Sequence, residues 1–301
     1  MRKLIIFFMP VVVVLCVFEI FLRIIPNDYK YKREQLLKNA KDIEILVLGN
    51  SHAHYGINPE YLTMKGFNFS NISQSFDLDY ALLETYGPKF ENLKIIIIPV
   101  SYSSLFFSLF SGDEAWRIKN YVLYYHIKCA TSIRNNFELL NGTMISNLYR
   151  LYQYMKDQGR GITVSDVGFG LNYSSAIKNN LEETGKAAAL RHTHYDEKIF
   201  LHNQEVIRNI IEWCNKRDVK MIFATLPAYY TYIKELNDIL LNKTISYMGD
   251  IGERTENVYY YNFLEDNNFI TDDFFDADHL NEKGAEKFTE MIDEIIINTV
   301  D

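Results

Sequence analysis

Cysteine is scarce: Cys16, Cys129 and Cys214 are the only three in 301 residues. None shares a metal-ligand or redox spacing with another, so they read as unrelated structural residues and leave the compartment open. Clustered basic charge is also missing. The net charge is −8, and the only Lys/Arg group beyond the first residues follows the N-terminal apolar run. An acidic surface of this kind argues against duplex DNA or RNA as a partner. No small-residue cleavage site of the A-x-A type follows that apolar run, which disfavours a cleaved signal peptide.

The apolar run itself is the first thing present. Leu4 to Ile25 is almost unbroken, with Arg2 and Lys3 before it. At about 1.5 Å per residue it reaches roughly 33 Å, enough for a hydrocarbon core of about 30 Å. Residues 1–26 are therefore expected to be a single-pass membrane anchor. Glu19 and Arg23 stand one turn apart and can pair near its exit. Leu15, before Cys16, is not small, so a lipoprotein reading of that cysteine fails. Residues 27–41 are polar and read as a tether, helical over Arg33–Asn39. Orientation is contested: Arg23, Lys30, Lys32 and Arg33 outnumber Arg2 and Lys3, which favours a cytoplasmic C-terminal part.

Beyond the tether the chain has room for one large α/β domain, 42–301, and 48% hydrophobic residues with which to fill it. Glu44–Gly49, Phe67–Ser70, Lys94–Pro99, Val219–Leu226 and Val258–Phe263 read as strands. The continuous KIIIIP run suits a central parallel strand covered on both faces. Asp77–Phe90, Glu205–Arg217 and Thr231–Tyr247 read as helices, and Asn281 can cap a last one through Ile297. This alternation predicts a doubly wound, mostly parallel five-stranded α/β sheet. Residues 103–203 are less regular and read as a helical insertion, with helices over Asp113–Cys129 and Ile145–Lys156 and a glycine-rich stretch over Gln158–Asn172. Arg191-His192-Thr193-His194 within it reads mainly as a solvated loop.

In doubly wound sheets, sites form beyond the carboxyl ends of strands. Ser51 follows the first strand, Ser101 the third, Pro227 the fourth, and Asp276–His279 the fifth. The run Ile45–Gly49 delivers Asn50-Ser51-His52 on a strand-to-helix turn, where a hydroxyl stands clear of the sheet near backbone N–H groups. A serine needs a base, and His279 is the candidate. Asp276, three residues earlier in FDADHLNEKGA, is favoured over the adjacent Asp278 to orient the imidazole. His52 and His54, with Asp276 and His279, also carry metal-ligand chemistry. They lie past the strand, however, and are expected to line the pocket instead.

Gly49-Asn50-Ser51-His52 resembles the first block of the SGNH (GDSL) hydrolase superfamily, and Asp276-x-x-His279 its last. The resemblance covers roughly residues 42–300, the middle being unmatched. It is nearest to the membrane-anchored, polysaccharide-associated acetyl esterases and O-acyltransferases. It implies a flavodoxin-like sheet, Ser51 as nucleophile, His279 as base, Asp276 as its partner, an acyl-serine intermediate, an O-acylated glycan substrate and no metal or other cofactor. It also implies a domain outside the cytoplasm, against the Lys/Arg count. The sequence departs from the family twice. Asn71-Ile72-Ser73-Gln74-Ser75 lacks the oxyanion-binding glycine, and Pro99-Val100-Ser101-Tyr102 lacks the asparagine after the third strand. Ser73, Gln74 and Ser101, with Asn50 and His52 beside them, are the residues left to bind the oxyanion or substrate. Failing them, the chain would be a catalytically silent, membrane-tethered glycan-binding or assembly factor.

Overall fold

A computed structural model describes residues 2–129, 132–156 and 161–300. Residues 130–131 and 157–160 of the predicted insertion lie outside the described residues. Along the chain run α1 (Arg2–Ile24), α2 (Asp28–Asn39), β1 (Ile45–Val47), α3 (Ser51–Gly56), β2 (Gly66–Asn68), α4 (Phe76–Tyr86), β3 (Ile95–Pro99) and α5 (Ile118–Leu123). There follow α6 (Met144–Lys156), α7 (Leu181–His192), α8 (Glu197–Asn215), β4 (Lys220–Thr225), α9 (Tyr230–Ile233), α10 (Asp238–Arg254) and β5 (Val258–Asn262). A short hairpin of β6 (Phe274–Asp276) and β7 (His279–Leu280) leads into α11 (Glu282–Val300).

The chain divides into two compact units, residues 1–34 with 113–163, and residues 35–112 with 164–301. The larger unit is an α/β fold on a five-stranded, all-parallel sheet of order β2-β1-β3-β4-β5. This is the flavodoxin-like order, and its direction reverses between β1 and β3. Side chains alternate across the pleat. Ile45, Val47, Ile95, Ile97 and Ile222 meet Phe288, Ile292 and Ile296 of α11 on one face. Leu46, Ile96, Ile98, Met221 and Phe223 point the other way and are equally buried. Burial on both faces is why these strands are continuous apolar runs.

The helices depart from the expected boundaries for local reasons. Asp196 caps α8, accepting from the N–H groups of Lys198 and Ile199, so that helix starts eight residues before Glu205. The helix expected over Thr231–Tyr247 is two, because Asn237 caps α10 through the N–H groups of Ile239 and Leu240. Asp272–His279 is a 3-10 turn and a hairpin rather than a loop. Within residues 27–41, helix α2 carries two fully buried side chains, Lys32 and Leu36. A polar–apolar pattern counts Lys32 as polar and so does not register its burial.

In the smaller unit, Phe7–Ile24 is long and apolar enough to cross a membrane, and almost all of it is exposed. The Glu19 carboxylate pairs with Arg23 at 2.7 Å and accepts the backbone N–H groups of Glu138 (3.0 Å) and Leu139 (2.9 Å). Arg23 also donates to the Asn136 carbonyl at 2.7 Å. The buried Glu138 carboxylate accepts from Lys119, from Arg150 at 2.7 Å and from the Tyr124 hydroxyl at 2.5 Å. Burial alone would push this carboxyl up; Lys119 and Arg150 hold it below the usual range. The helix expected over Asp113–Cys129 is a 3-10 turn, Ala115–Arg117, then α5, and His126 at φ 54° lies beyond its end.

Candidate active site

The site lies in the larger unit, where β1 gives way to α3. Gly49 makes the turn at φ 101°, a left-handed conformation that favours glycine. A Cβ there would sit 3.2 Å from Pro99 Cδ. The Gly49 N–H donates to the buried Asp79 carboxylate at 2.8 Å. Asn50 then caps α3, its Oδ1 accepting from His52 N at 3.0 Å. Ser51 is the first helical residue, so its N–H belongs to the set with no acceptor inside the helix.

The other half arrives from the β6–β7 hairpin, in which Asp276 and His279 are register partners. Asp276 Oδ1 accepts from the backbone N–H groups of Asp278 (3.2 Å) and His279 (2.9 Å) and stands 2.9 Å from His279 Nδ1. Fixing the carboxylate to its own turn fixes where the ring points. His279 Nε2 lies 2.8 Å from Ser51 Oγ, across 228 positions of sequence. With Nδ1–H donating to Asp276, Nε2 is left to accept from the serine hydroxyl.

Asp278 is also present, its Oδ2 3.5 Å from His279 Nδ1 and 3.8 Å from His192 Nδ1. It is almost fully buried. Burial would raise its carboxyl, but the surrounding His279, His192 and His52 reverse this and hold it below the ordinary range. Burial likewise opposes the charged form of His279, yet Asp278 and Asp276 outweigh it and raise that imidazole to about 10. His52 lies over the His279 ring, centroids 4.7 Å apart and planes at 24°. Burial first, and His279 second, push His52 down to about 3. His192 is pushed down to about 4 by burial, and its Nδ1 is 3.0 Å from the Tyr232 hydroxyl. His192 is the last residue of α7, in a run that could serve a site but reads more as a solvated loop; its partner Tyr232 carries no signal in the sequence.

The residues expected around the oxyanion are arranged unequally. Gln74 is engaged at both ends: Nε2 donates to Asp79 Oδ1 at 2.6 Å, and Oε1 accepts from Asn71 at 2.8 Å. It braces the Gly49 turn. Ser73 stands at φ 60° in a turn closed by Gln74 N and Asn71 O at 3.1 Å. That is the position of a tight turn where glycine is usual. The Asn71 N–H donates to the Gly49 carbonyl at 3.1 Å, which ties this turn to the serine loop. The Asn50 side-chain N–H₂ faces Ser101 Oγ at 3.3 Å, and Ser101 Oγ is 2.8 Å from Ser104 Oγ. His54 turns its Nδ1 toward the Ser70 carbonyl at 3.3 Å.

His52, Asp278 and His279 bring one ligand atom each within 4.8 Å of one another, the one such group among the described residues. Lone pairs lie in the ring plane, and stacked rings aim them side by side instead of at one point. Both His279 nitrogens already face Ser51 and Asp276. These residues do not fit an ion without turning the rings.

Sequence reading missed the aromatic wall. Tyr55 stacks on Tyr173 at 3.6 Å, Tyr173 on Phe275 at 3.9 Å, and Tyr173 presents its edge to His279 at 5.3 Å. The glycine-rich stretch makes this approach possible. A Cβ on Gly168, at φ 85°, would stand 2.0 Å from the Asn68 carbonyl oxygen. A depression elsewhere, between α8 and α10 at the amino ends of β4 and β5, is lined by Arg208, Glu212, Tyr247 and Arg254.

No family model and no curated protein matches the chain. Two of the solved structures that are similar to it are of proteins designated "putative". One is an acylhydrolase from Bacteroides fragilis NCTC 9343, 10% identical, covering 89% of this chain and 97% of that one with a TM-score of 0.44. The other is a platelet activating factor from Streptococcus pneumonia, 11% identical, covering 89% and 90% with a TM-score of 0.44.

Proposed function

We propose that this chain is a serine-dependent esterase or O-acyltransferase that acts on an acylated carbohydrate and is tethered to a membrane by α1. The observation that carries the reading is the 2.8 Å approach of Ser51 Oγ to His279 Nε2, with Asp276 2.9 Å behind the ring. In the reaction, Ser51 Oγ forms a bond to the ester carbonyl carbon while its proton passes to His279 Nε2. Asp276 stabilises the imidazolium by charge and orientation. The tetrahedral oxyanion is bound by the Ser51 N–H, with the Ser73 turn and the Asn50 amide, which now faces Ser101, as candidate further donors. Collapse breaks the bond to the leaving alcohol, which takes the proton from His279. Water or a sugar hydroxyl, deprotonated by His279, then removes the acyl group from Ser51.

The carbohydrate in this proposal rests on the likeness of the Gly49–His52 and Asp276–His279 runs to a polysaccharide-modifying family; Tyr55, Tyr173 and Phe275 stack on one another beside His279. A carbohydrate of that kind supports placing the larger unit outside the cytoplasm. Lys38→Cys, at an exposed position of α2, should react with an impermeant maleimide on intact cells. Protection of that cysteine would reverse the orientation.

A fluorophosphonate probe should label the protein, and Ser51→Ala should abolish both labelling and ester turnover. Labelling and turnover unchanged in that variant would remove the reading. The engagement of both ends of Gln74 by Asp79 and Asn71 favours one rival, a binding protein that keeps the fold without turnover. For it, the probe would not react, and glycan binding would survive Ser51→Ala.

A further inference from the structure

Helix α6 is inside out. A helix on a water-soluble surface turns its apolar stripe inward and its polar face to solvent. Here Met144, Ile145, Leu148, Tyr149, Tyr152 and Met155 are all exposed, Ile145 at 81%. At 3.6 residues per turn they fall within an arc of about 140°. The opposite side is polar: Asn147 is buried, and Arg150 reaches the buried Glu138. Ile133 and Leu140, in the segment before α6, are exposed too, at 77% and 56%.

This apolar surface is continuous with α1. Helix α6 packs against α1 within the smaller unit. The 133–141 segment is fastened to the last turns of α1 through Glu19 and Arg23. Glu19 lies five residues before Ile24, about 8 Å along the helix axis. Interfacial helices bury their apolar faces about 5–10 Å into the headgroup–acyl boundary. Tyr149 and Tyr152 have the amphipathic rings that settle at that level.

We propose that α6 is a second membrane contact: an interfacial helix lying in the same leaflet that α1 leaves, its apolar arc covered by lipid. This rests on α1 spanning the bilayer, and the test separates the two. Full-length protein is reconstituted in phosphatidylcholine–phosphatidylglycerol vesicles with a nitroxide on one cysteine at a time. Native Cys16, on the exposed side of α1, reports the span in a Cys129→Ser background. Leu148→Cys and, separately, Tyr152→Cys report α6 with Cys16 and Cys129 both changed to serine. Lys198→Cys, an exposed position, is the aqueous reference.

The labels at 148 and 152 should collide several-fold more with oxygen, and several-fold less with a water-soluble nickel complex, than the label at 198. Cys16 in lipid with 148 and 152 as nickel-accessible as 198 would overturn the interfacial helix and leave the span. All three in water would overturn both. Labels at 148 and 152 shielded from oxygen and nickel alike would place a second copy of the chain on this face and overturn the lipid assignment.

Discussion

Asp278 Oδ2 lies 3.5 Å from His279 Nδ1, although Asp276 already holds that nitrogen at 2.9 Å. Two carboxylates therefore face one imidazole. Adjacent side chains would ordinarily point apart, but across the hairpin turn at Ala277–Asp278 the Asp278 carboxylate comes back to the same ring nitrogen. A base served this way is strong, and it is also harder to keep neutral.

That gives a pH dependence with a definite sign. His279 accepts the serine proton only when neutral, and Asp278 and Asp276 raise it to about 10 against the opposing effect of burial. The rate of fluorophosphonate labelling should rise with pH, with its midpoint above the ordinary histidine value of about 6.5. Asp278→Asn removes one negative charge and should move the midpoint down. A midpoint that stays put in Asp278→Asn would show that Asp278 does not act on the base.

Asp276→Asn should reduce turnover. In a triad with a single acid, the corresponding change costs about 10⁴-fold, largely through the wrong tautomer. Here Asp278 still faces Nδ1, so the loss should be smaller, and Asp276→Asn with Asp278→Asn together should lose more than the two separately imply. Steady-state kcat on a chromogenic acetyl ester measures this. Simple additivity would mean that the two acids do not substitute for each other.

Ser73 holds a left-handed φ of 60° where a non-glycine residue is held at a cost of roughly 1–2 kcal/mol. Ser73→Gly relieves that cost but gains unfolded-state entropy of about 0.5–1 kcal/mol. The net effect on stability should lie between zero and about 1.5 kcal/mol in favour of glycine, read by urea denaturation. Clear destabilisation would assign Ser73 a side-chain role that its backbone conformation does not reveal.

Asp79 supports the serine loop from beneath. Its Oδ1 accepts from the Gly49 N–H and from Gln74 Nε2. Asp79→Ala strands these buried donors, which costs about 1–3 kcal/mol for each group left unmade. Burial raises this carboxyl to about 7, against the two donors, which lower it. The folded state thus binds the proton more tightly than the unfolded state. The stability linked to Asp79 is complete below about pH 4 and is lost as pH rises through about 7. Asp79→Asn keeps an oxygen for both donors and should flatten the stability profile across that window. A profile unchanged in Asp79→Asn would show that Asp79 does not titrate there.

Much of the fold was legible because the signals are local. KIIIIP and VKMIFATL are apolar throughout, as strands covered on both faces must be, and the alternation with amphipathic helices implies a parallel wound sheet. Boundaries were less legible where a single cap decides them, as at Asp196 and Asn237. The segment at 27–41 misled because the buried Lys32 counts as polar in any pattern.

By itself, then, the sequence determined the wound sheet, the apolar N-terminal helix and the candidates Ser51, Asp276 and His279, since each is written in a few consecutive residues. Tertiary structure alone decided that Asp278 joins Asp276 at one ring, that Gln74 serves Asp79, and that Tyr173 comes to lie beside His279. These depend on distances between residues remote in sequence or on the way a hairpin turns. Hydrophobic periodicity records which face is buried, but not which polar atom lies within 3 Å of another once the chain has closed on itself.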